Sequence, residues 1–183
     1  NNWSQNFLTW IEQQAAKDEL LADTLLLMLE QMKLLRQLLV KTERKLRELR
    51  NGKYAVKVKL ATSVPGIGAT TAMQFLLEAG DINRFKGFDA LNDFIGFCPD
   101  TDSSGETDRD RGITTRRHKQ LRSALIESAW QAIRVDPALM NSYQELTKRM
   151  KGVHAIIRIA RKLLRRLRAV LLTGIAYQKG VVA

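Results

Sequence analysis

Forty-five consecutive residues, 6–50, contain neither Gly nor Pro. Within them Leu25, Met32, Leu39 and Leu46 recur every seven residues. Leu21, Met28, Leu35 and Leu49 form a second series, interrupted at Thr42. Spacings that alternate between three and four define the a/d seam of a coiled coil. The pattern predicts one long helix over 6–50, a rod of roughly 65 Å at 1.5 Å per residue. Such a rod is too long to bury its whole length against the remainder of the chain, so it reads as a dimerisation element. Leu20, Leu27, Leu34 and Leu38 widen the apolar face beyond a two-stranded seam, as in an ordinary bundle helix. Asn51-Gly52 ends the helix, with Gly where a C-terminal cap needs it.

The remaining segments also read as helices. A short helix over 53–62 is followed by the tight turn Ser63-Val64-Pro65-Gly66-Ile67-Gly68 and a second helix over 69–79. This pattern resembles a helix–hairpin–helix. Gly66 and Gly68 are expected to take positive φ and let a phosphate approach the start of the second helix, where free N–H groups and the helix dipole favour an anion. Phe88, Leu91, Phe94 and Ile95 mark a short aromatic core helix. Further helices are expected over 116–134, from Asp136-Pro137 (an N-cap followed by Pro at N1) to Met150, and over 153–173. The expectation is an all-α chain: a coiled-coil segment, 1–52, followed by a compact helical domain, 53–183.

Charge divides the chain. Residues 61–115 hold four basic and nine acidic residues, net −5; residues 116–183 hold fifteen and three, net +12. The whole chain is at +11. A basic third on such a chain points to a polyanion. Arg116, Arg117, Lys119 and Arg122 crowd the start of one helix. Arg158, Arg161, Lys162, Arg165, Arg166 and Arg168 fill the polar face of the last. Nucleic-acid phosphate fits better than a membrane surface, because the last helix lacks an interfacial Trp. No apolar run approaches the roughly 18 residues of a membrane span. One cysteine, Cys98, excludes an intrachain disulfide and suits a reducing cytoplasm. The chain opens on Asn1 and reads as a piece of a longer protein.

The polar stretch 99–113 is expected to be a loop. Between Asp100 and Gly112 it carries five carboxylates, Arg109, Arg111 and the adjacent Ser103 and Ser104. Asp100, Asp102, Ser104, Gly105 and Asp108 fit a calcium loop, but Arg111 stands where the bidentate Glu belongs and would repel the ion. His118 and His154 are too few and too scattered for zinc. No metal site is expected. The other reading is a serine nucleophile, with Arg109, Arg111, Arg116 and Arg117 neutralising a reacting phosphate. Residue chemistry alone leaves the choice open, since Ser and Gly are ordinary loop residues.

An ordered series of motifs favours the serine. Ser63-Val64-Pro65-Gly66-Ile67-Gly68, Gly80-Asp81-Ile82-Asn83-Arg84-Phe85, Phe94-Ile95-Gly96-Phe97-Cys98-Pro99, Ser103-Ser104-Gly105, Arg111-Gly112-Ile113-Thr114, Leu121-Arg122 and Ala160-Arg161-Lys162-Leu163-Leu164 follow one another. Together they resemble the C-terminal domain of insertion-sequence-110-type transposases, which include pilin-gene-inverting recombinases. The resemblance covers about 60–178. It implies DNA recombination through a serine that forms a transient phosphoserine bond, directed by a guide RNA. The serine of the family's Ser-Gly pair is Ser104 here, with Ser103 as its neighbour. It also implies a preceding domain with four magnesium-binding carboxylates. Nothing like that domain appears in this sequence, so the chain carries no expected cofactor of its own. Expected partners are DNA, a guide RNA and a second copy of the chain, in a bacterial cytoplasm at the nucleoid. The alternative is a non-enzymatic, dimeric nucleic-acid-binding module.

Overall fold

The structure, a computed structural model, describes residues 4–15, 19–97, 99–104, 107–113 and 118–179, with backbone alone for 19–21, 99–104 and 107–113. It divides into two units, 1–49 and 50–183.

In the first unit the sequence expectation of one helix meets two: α1, Gln5–Ala15, and α2, Glu19–Asn51. The residues between them contain no Gly or Pro, so nothing in composition announces two helices. The Lys33 ammonium meets the Glu12 carboxylate at 2.5 Å, which lays α1 alongside α2. Leu8, Ala15 and Leu29 are buried. Many of the remaining apolar residues of α2 are exposed: Met28, Leu35 and Leu39 are 60%, 56% and 58% exposed.

The second unit is the helical domain: α3, Ala55–Thr62; α4, Ala69–Ala79; α5, Phe88–Ile95; α6, Lys119–Val135; α7, Pro137–Thr147; and α8, Gly152–Thr173. A 3-10 turn at Ile82–Arg84 links α4 to α5. The amphipathic spacing of α8 makes it the central element. Ala155, Ile156, Ile159, Ala160, Leu163, Leu164 and Leu167 are all buried, and α3, α5, α6 and α7 pack on it. Burying a Leu or Ile fully contributes about 1.5–3 kcal/mol, so this apolar stripe outweighs any single polar contact in holding the unit together.

The described secondary structure is helical apart from one ribbon. The stretch expected as a polar loop forms two antiparallel strands, β1, Pro99–Ser104, and β2, Thr107–Ile113.

Candidate nucleic-acid interface and serine ribbon

The register of the ribbon sets Ser104 opposite Thr107, Ser103 opposite Asp108 and Asp102 opposite Arg109. Ser104 is therefore the last residue of β1, at the turn end of the ribbon. Arg111 lies further along β2. Arg116 and Arg117 lie outside the described residues.

The approach to the ribbon is built from local chain chemistry. Gly96 ends α5 at φ 87°, a left-handed conformation that glycine takes without strain. Its N–H donates to the carbonyls of Asn92 and Asp93, and Phe97 N–H donates to Asn92 as well. The Arg122 guanidinium then donates to the Gly96 carbonyl at 3.1 Å. Arg122, expected on a phosphate, is half-buried and spends a hydrogen bond on the turn that precedes β1.

On the return side, His118 Nδ1 lies 2.9 Å from a Glu78 carboxylate oxygen. The imidazole packs on Phe94 at 4.1 Å, and Phe94 packs on Phe85 at 5.2 Å. The Arg84 guanidinium lies 4.4 and 4.7 Å from those two Phe rings and donates through Nε to the Ala79 carbonyl. The described residues that flank the ribbon in sequence, Gly96 and Phe97 on one side and His118 on the other, are thus held by contacts with α4, α5 and α6. Lys119 is exposed at the first turn of α6.

The six basic residues of α8 divide into two groups. Arg158, Arg161, Lys162 and Arg165 line an open cavity of about 190 Å³ together with Phe88. The Arg165 guanidinium lies 4.5 Å from the Phe88 ring centroid, and Lys162 Nζ donates to Ser142 Oγ at 2.9 Å. Arg166 and Arg168 are structural. Arg168 reaches the Phe85 carbonyl, and Arg166 donates to Asp136 at 2.6 Å.

Asp136 is 1% exposed in its side chain and serves several partners. One carboxylate oxygen accepts from the Ala138 and Leu139 N–H groups, the N-cap predicted from Asp136-Pro137. The other accepts from Arg166 and, at 3.3 Å, from the Tyr177 hydroxyl. Burial raises the Asp136 pKa. The Arg166 hydrogen bond, the Leu139 amide, the Arg166 charge and the Ala138 amide together outweigh burial and hold it below the ordinary carboxylate value. Tyr177 is pushed up, first by burial and then by the neighbouring Asp136 charge, against the opposing pull of Arg166. The Tyr177 N–H in turn donates to Ser63 Oγ at 2.8 Å.

The two turn glycines have different jobs. Gly66 has φ 82°, and a Cβ built there would lie 2.2 Å from the Ser128 carbonyl oxygen and 2.8 Å from Ala132 N. Its lack of a side chain lets the turn seat against α6. Gly68 has φ −81°, which any residue adopts, so the expectation of positive φ holds for Gly66 alone. Gly68 is the N-cap of α4, is exposed, and has nothing within 4 Å of a built Cβ. Open space there leaves the first amides of α4 accessible to an anion.

Among the described residues no group of three or more His, Cys, Asp or Glu side chains could hold a metal ion. No described helix is long and apolar enough to cross a membrane.

The site therefore joins a helical domain with a guanidinium-lined face to a serine-bearing ribbon. Residues 58–144, just under half of the chain, match the model of the transposase IS116/IS110/IS902 family. It is 32% identical over 123 residues to the insertion element IS110 uncharacterized 43.6 kDa protein of Streptomyces coelicolor, covering 67% of this chain and 30% of that protein. It is 35% identical over 65 residues to the putative transposase y4qE of Sinorhizobium fredii, covering 36% and 17%. It is 39% identical over 67 residues to the transposase for insertion sequence element IS1111A of Coxiella burnetii, covering 37% and 18%. The chain thus matches less than a third of the length of these relatives.

Proposed function

We propose that this chain is the serine-bearing part of a DNA transposase and that Ser104 is its nucleophile. The observation that supports this most is the ribbon, in which Ser104 is the last residue of β1, between flanking residues held by the Arg122–Gly96 and His118–Phe94 contacts. A nucleophile needs such support, because small displacements cost large factors in rate.

In the proposed step the Ser104 hydroxyl oxygen bonds to a DNA phosphorus and its proton is given up. The bond from phosphorus to one deoxyribose oxygen breaks, and that oxygen leaves with a proton. The phosphoserine ester keeps the bond energy, so attack by another DNA hydroxyl restores Ser104 and joins new strands. Arg109 and Arg111 on β2, with Arg116 and Arg117 beyond it, supply cations for the phosphate. Gly68 and the first amides of α4 receive a backbone phosphate, in the manner of a helix–hairpin–helix. Lys119 and the exposed cations of α8 hold the flanking backbone.

The exposed leucines of α2 pair two copies. A guide RNA selects the DNA, in a bacterial cytoplasm at the nucleoid. Magnesium, which the family resemblance implies, is assigned in this proposal to a further domain of the complete transposase. The test is a covalent adduct between the complete transposase and its DNA. Ser104→Ala should abolish the adduct while Ser103→Ala retains it. An adduct that survives Ser104→Ala rejects the assignment, and a wild-type protein that binds DNA without any adduct favours the non-enzymatic module.

A further inference from the structure

Phe88 has no place in the serine chemistry. The aromatic spacing of its helix assigned it to the core, yet it is half-exposed and forms one wall of the cavity between α5 and α8. The remaining lining is Arg158, Arg161, Lys162 and Arg165, with no acid among them. Duplex DNA presents phosphates at its surface and needs only the cations. It does not present base faces, so duplex binding leaves a half-exposed aromatic ring among cations unexplained. Single strands are held differently, by a cationic groove for the backbone and aromatic rings for the bases.

We propose that this cavity is a single-stranded DNA site: an unpaired base stacks on the Phe88–Arg165 pair while Arg158, Arg161 and Lys162 hold the adjoining phosphates. Three features support it. The Arg165 guanidinium lies over the ring, with its central carbon 4.5 Å from the centroid, so the two groups can offer one stacking surface to a base. The volume, about 190 Å³, falls below the roughly 300–1,000 Å³ of sites that enclose whole small molecules and suits one planar group. And Lys162 is oriented by its hydrogen bond to Ser142, so at least one cation is held beside the cavity before any ligand arrives. DNA is the chosen strand because a transposase domain implies DNA, and strand exchange needs bases out of their pairs. The site rests on the proposed DNA function but not on Ser104.

The experiment measures fluorescence anisotropy of the 183-residue chain with oligothymidylate, with a duplex of equal length and with oligouridylate. Oligothymidylate carrying one 2-aminopurine reports stacking by quenching. Loss of one stacked base weakens binding by about 5- to 150-fold. Phe88→Ala should show that loss on the DNA single strand and lose the quenching, with duplex affinity changed by less than about twofold. Phe88→Leu, which keeps apolar bulk without a π face, should lose as much, and Phe88→Tyr should bind as the wild type does. Equal losses on single strand and duplex would make Phe88 merely structural and overturn the proposal. So would unchanged single-strand affinity in Phe88→Leu, or a loss confined to oligouridylate. A missing Ser104 adduct with these affinity changes intact removes the nucleophile alone, and the reverse pattern removes this site alone.

Discussion

Replacing Gly66 by Ala tests the closest approach in the domain. The added Cβ would stand 2.2 Å from the Ser128 carbonyl oxygen, 2.8 Å from Ala132 N and 2.9 Å from Ala132 Cβ. The first two are backbone atoms of α6, which cannot swing aside as a side-chain end would. Relief requires the turn or the helix to shift, an overpacking cost of about 1–3 kcal/mol. The left-handed φ of 82° adds about 1–2 kcal/mol for any residue with a Cβ. The stiffer unfolded chain returns about 0.4–1 kcal/mol. The net expectation is a loss of about 2–4 kcal/mol, a large share of a domain's typical 5–15.

Gly68→Ala is the internal control. Its φ is ordinary and its Cβ would meet nothing. The weaker N-cap and the stiffer unfolded chain roughly cancel, leaving stability within about 0.5 kcal/mol of wild type. Urea unfolding followed by far-UV circular dichroism reads both. At a slope of about 1–3 kcal/mol/M, Gly66→Ala should lower the midpoint by about 1 M or more and Gly68→Ala should barely move it. Equal midpoints for the two variants would show that the turn does not seat against α6 as described.

Two other outcomes follow from the same physical chemistry. Asp136 has a folded pKa below its unfolded value of about 3.9, so its stabilisation is present above that pH and is lost as pH falls through the folded value; urea midpoints between pH 7 and pH 3 should drop less steeply for Asp136→Asn than for wild type, and Asp136→Ala should cost about 2–4 kcal/mol at pH 7 by leaving Arg166 unpaired. A Leu35→Glu, Leu39→Glu double variant puts charge on the exposed α2 stripe, and sedimentation equilibrium should find it monomeric at concentrations where the wild type self-associates; unchanged association would place the proposed pairing elsewhere.

What could be read from the residues depended on whether the cause was local. The N-cap at Asp136 was legible because the capping oxygen and the amides it binds lie two and three residues apart. The α8 stripe was legible because helical periodicity is written in consecutive residues. The ribbon was not: Asp, Ser, Gly and Arg have low strand propensity and show no apolar alternation, and strand pairing follows backbone hydrogen bonds that leave no compositional trace. The break between α1 and α2 was hidden for a related reason, since the Glu12–Lys33 pair joins residues far apart in sequence. Charge counting put all six α8 cations on one interface. Only the fold shows that Arg166 faces Asp136, thirty positions away, and that Phe88 stands among the other four.

The contacts of Tyr177 bear on how this domain should be handled at the bench. Among the described residues beyond the end of α8 there is no further helix, and a boundary drawn at Thr173 would look natural. Yet Tyr177 holds Ser63 through its amide and Asp136 through its hydroxyl, and its ring lies 4.8 Å from the Arg166 guanidinium. Those few residues act as a seam closing the glycine turn onto the α7–α8 pair. A truncation after Thr173 would therefore loosen a segment more than a hundred residues upstream, and a fusion partner or affinity tag should be joined beyond Lys179.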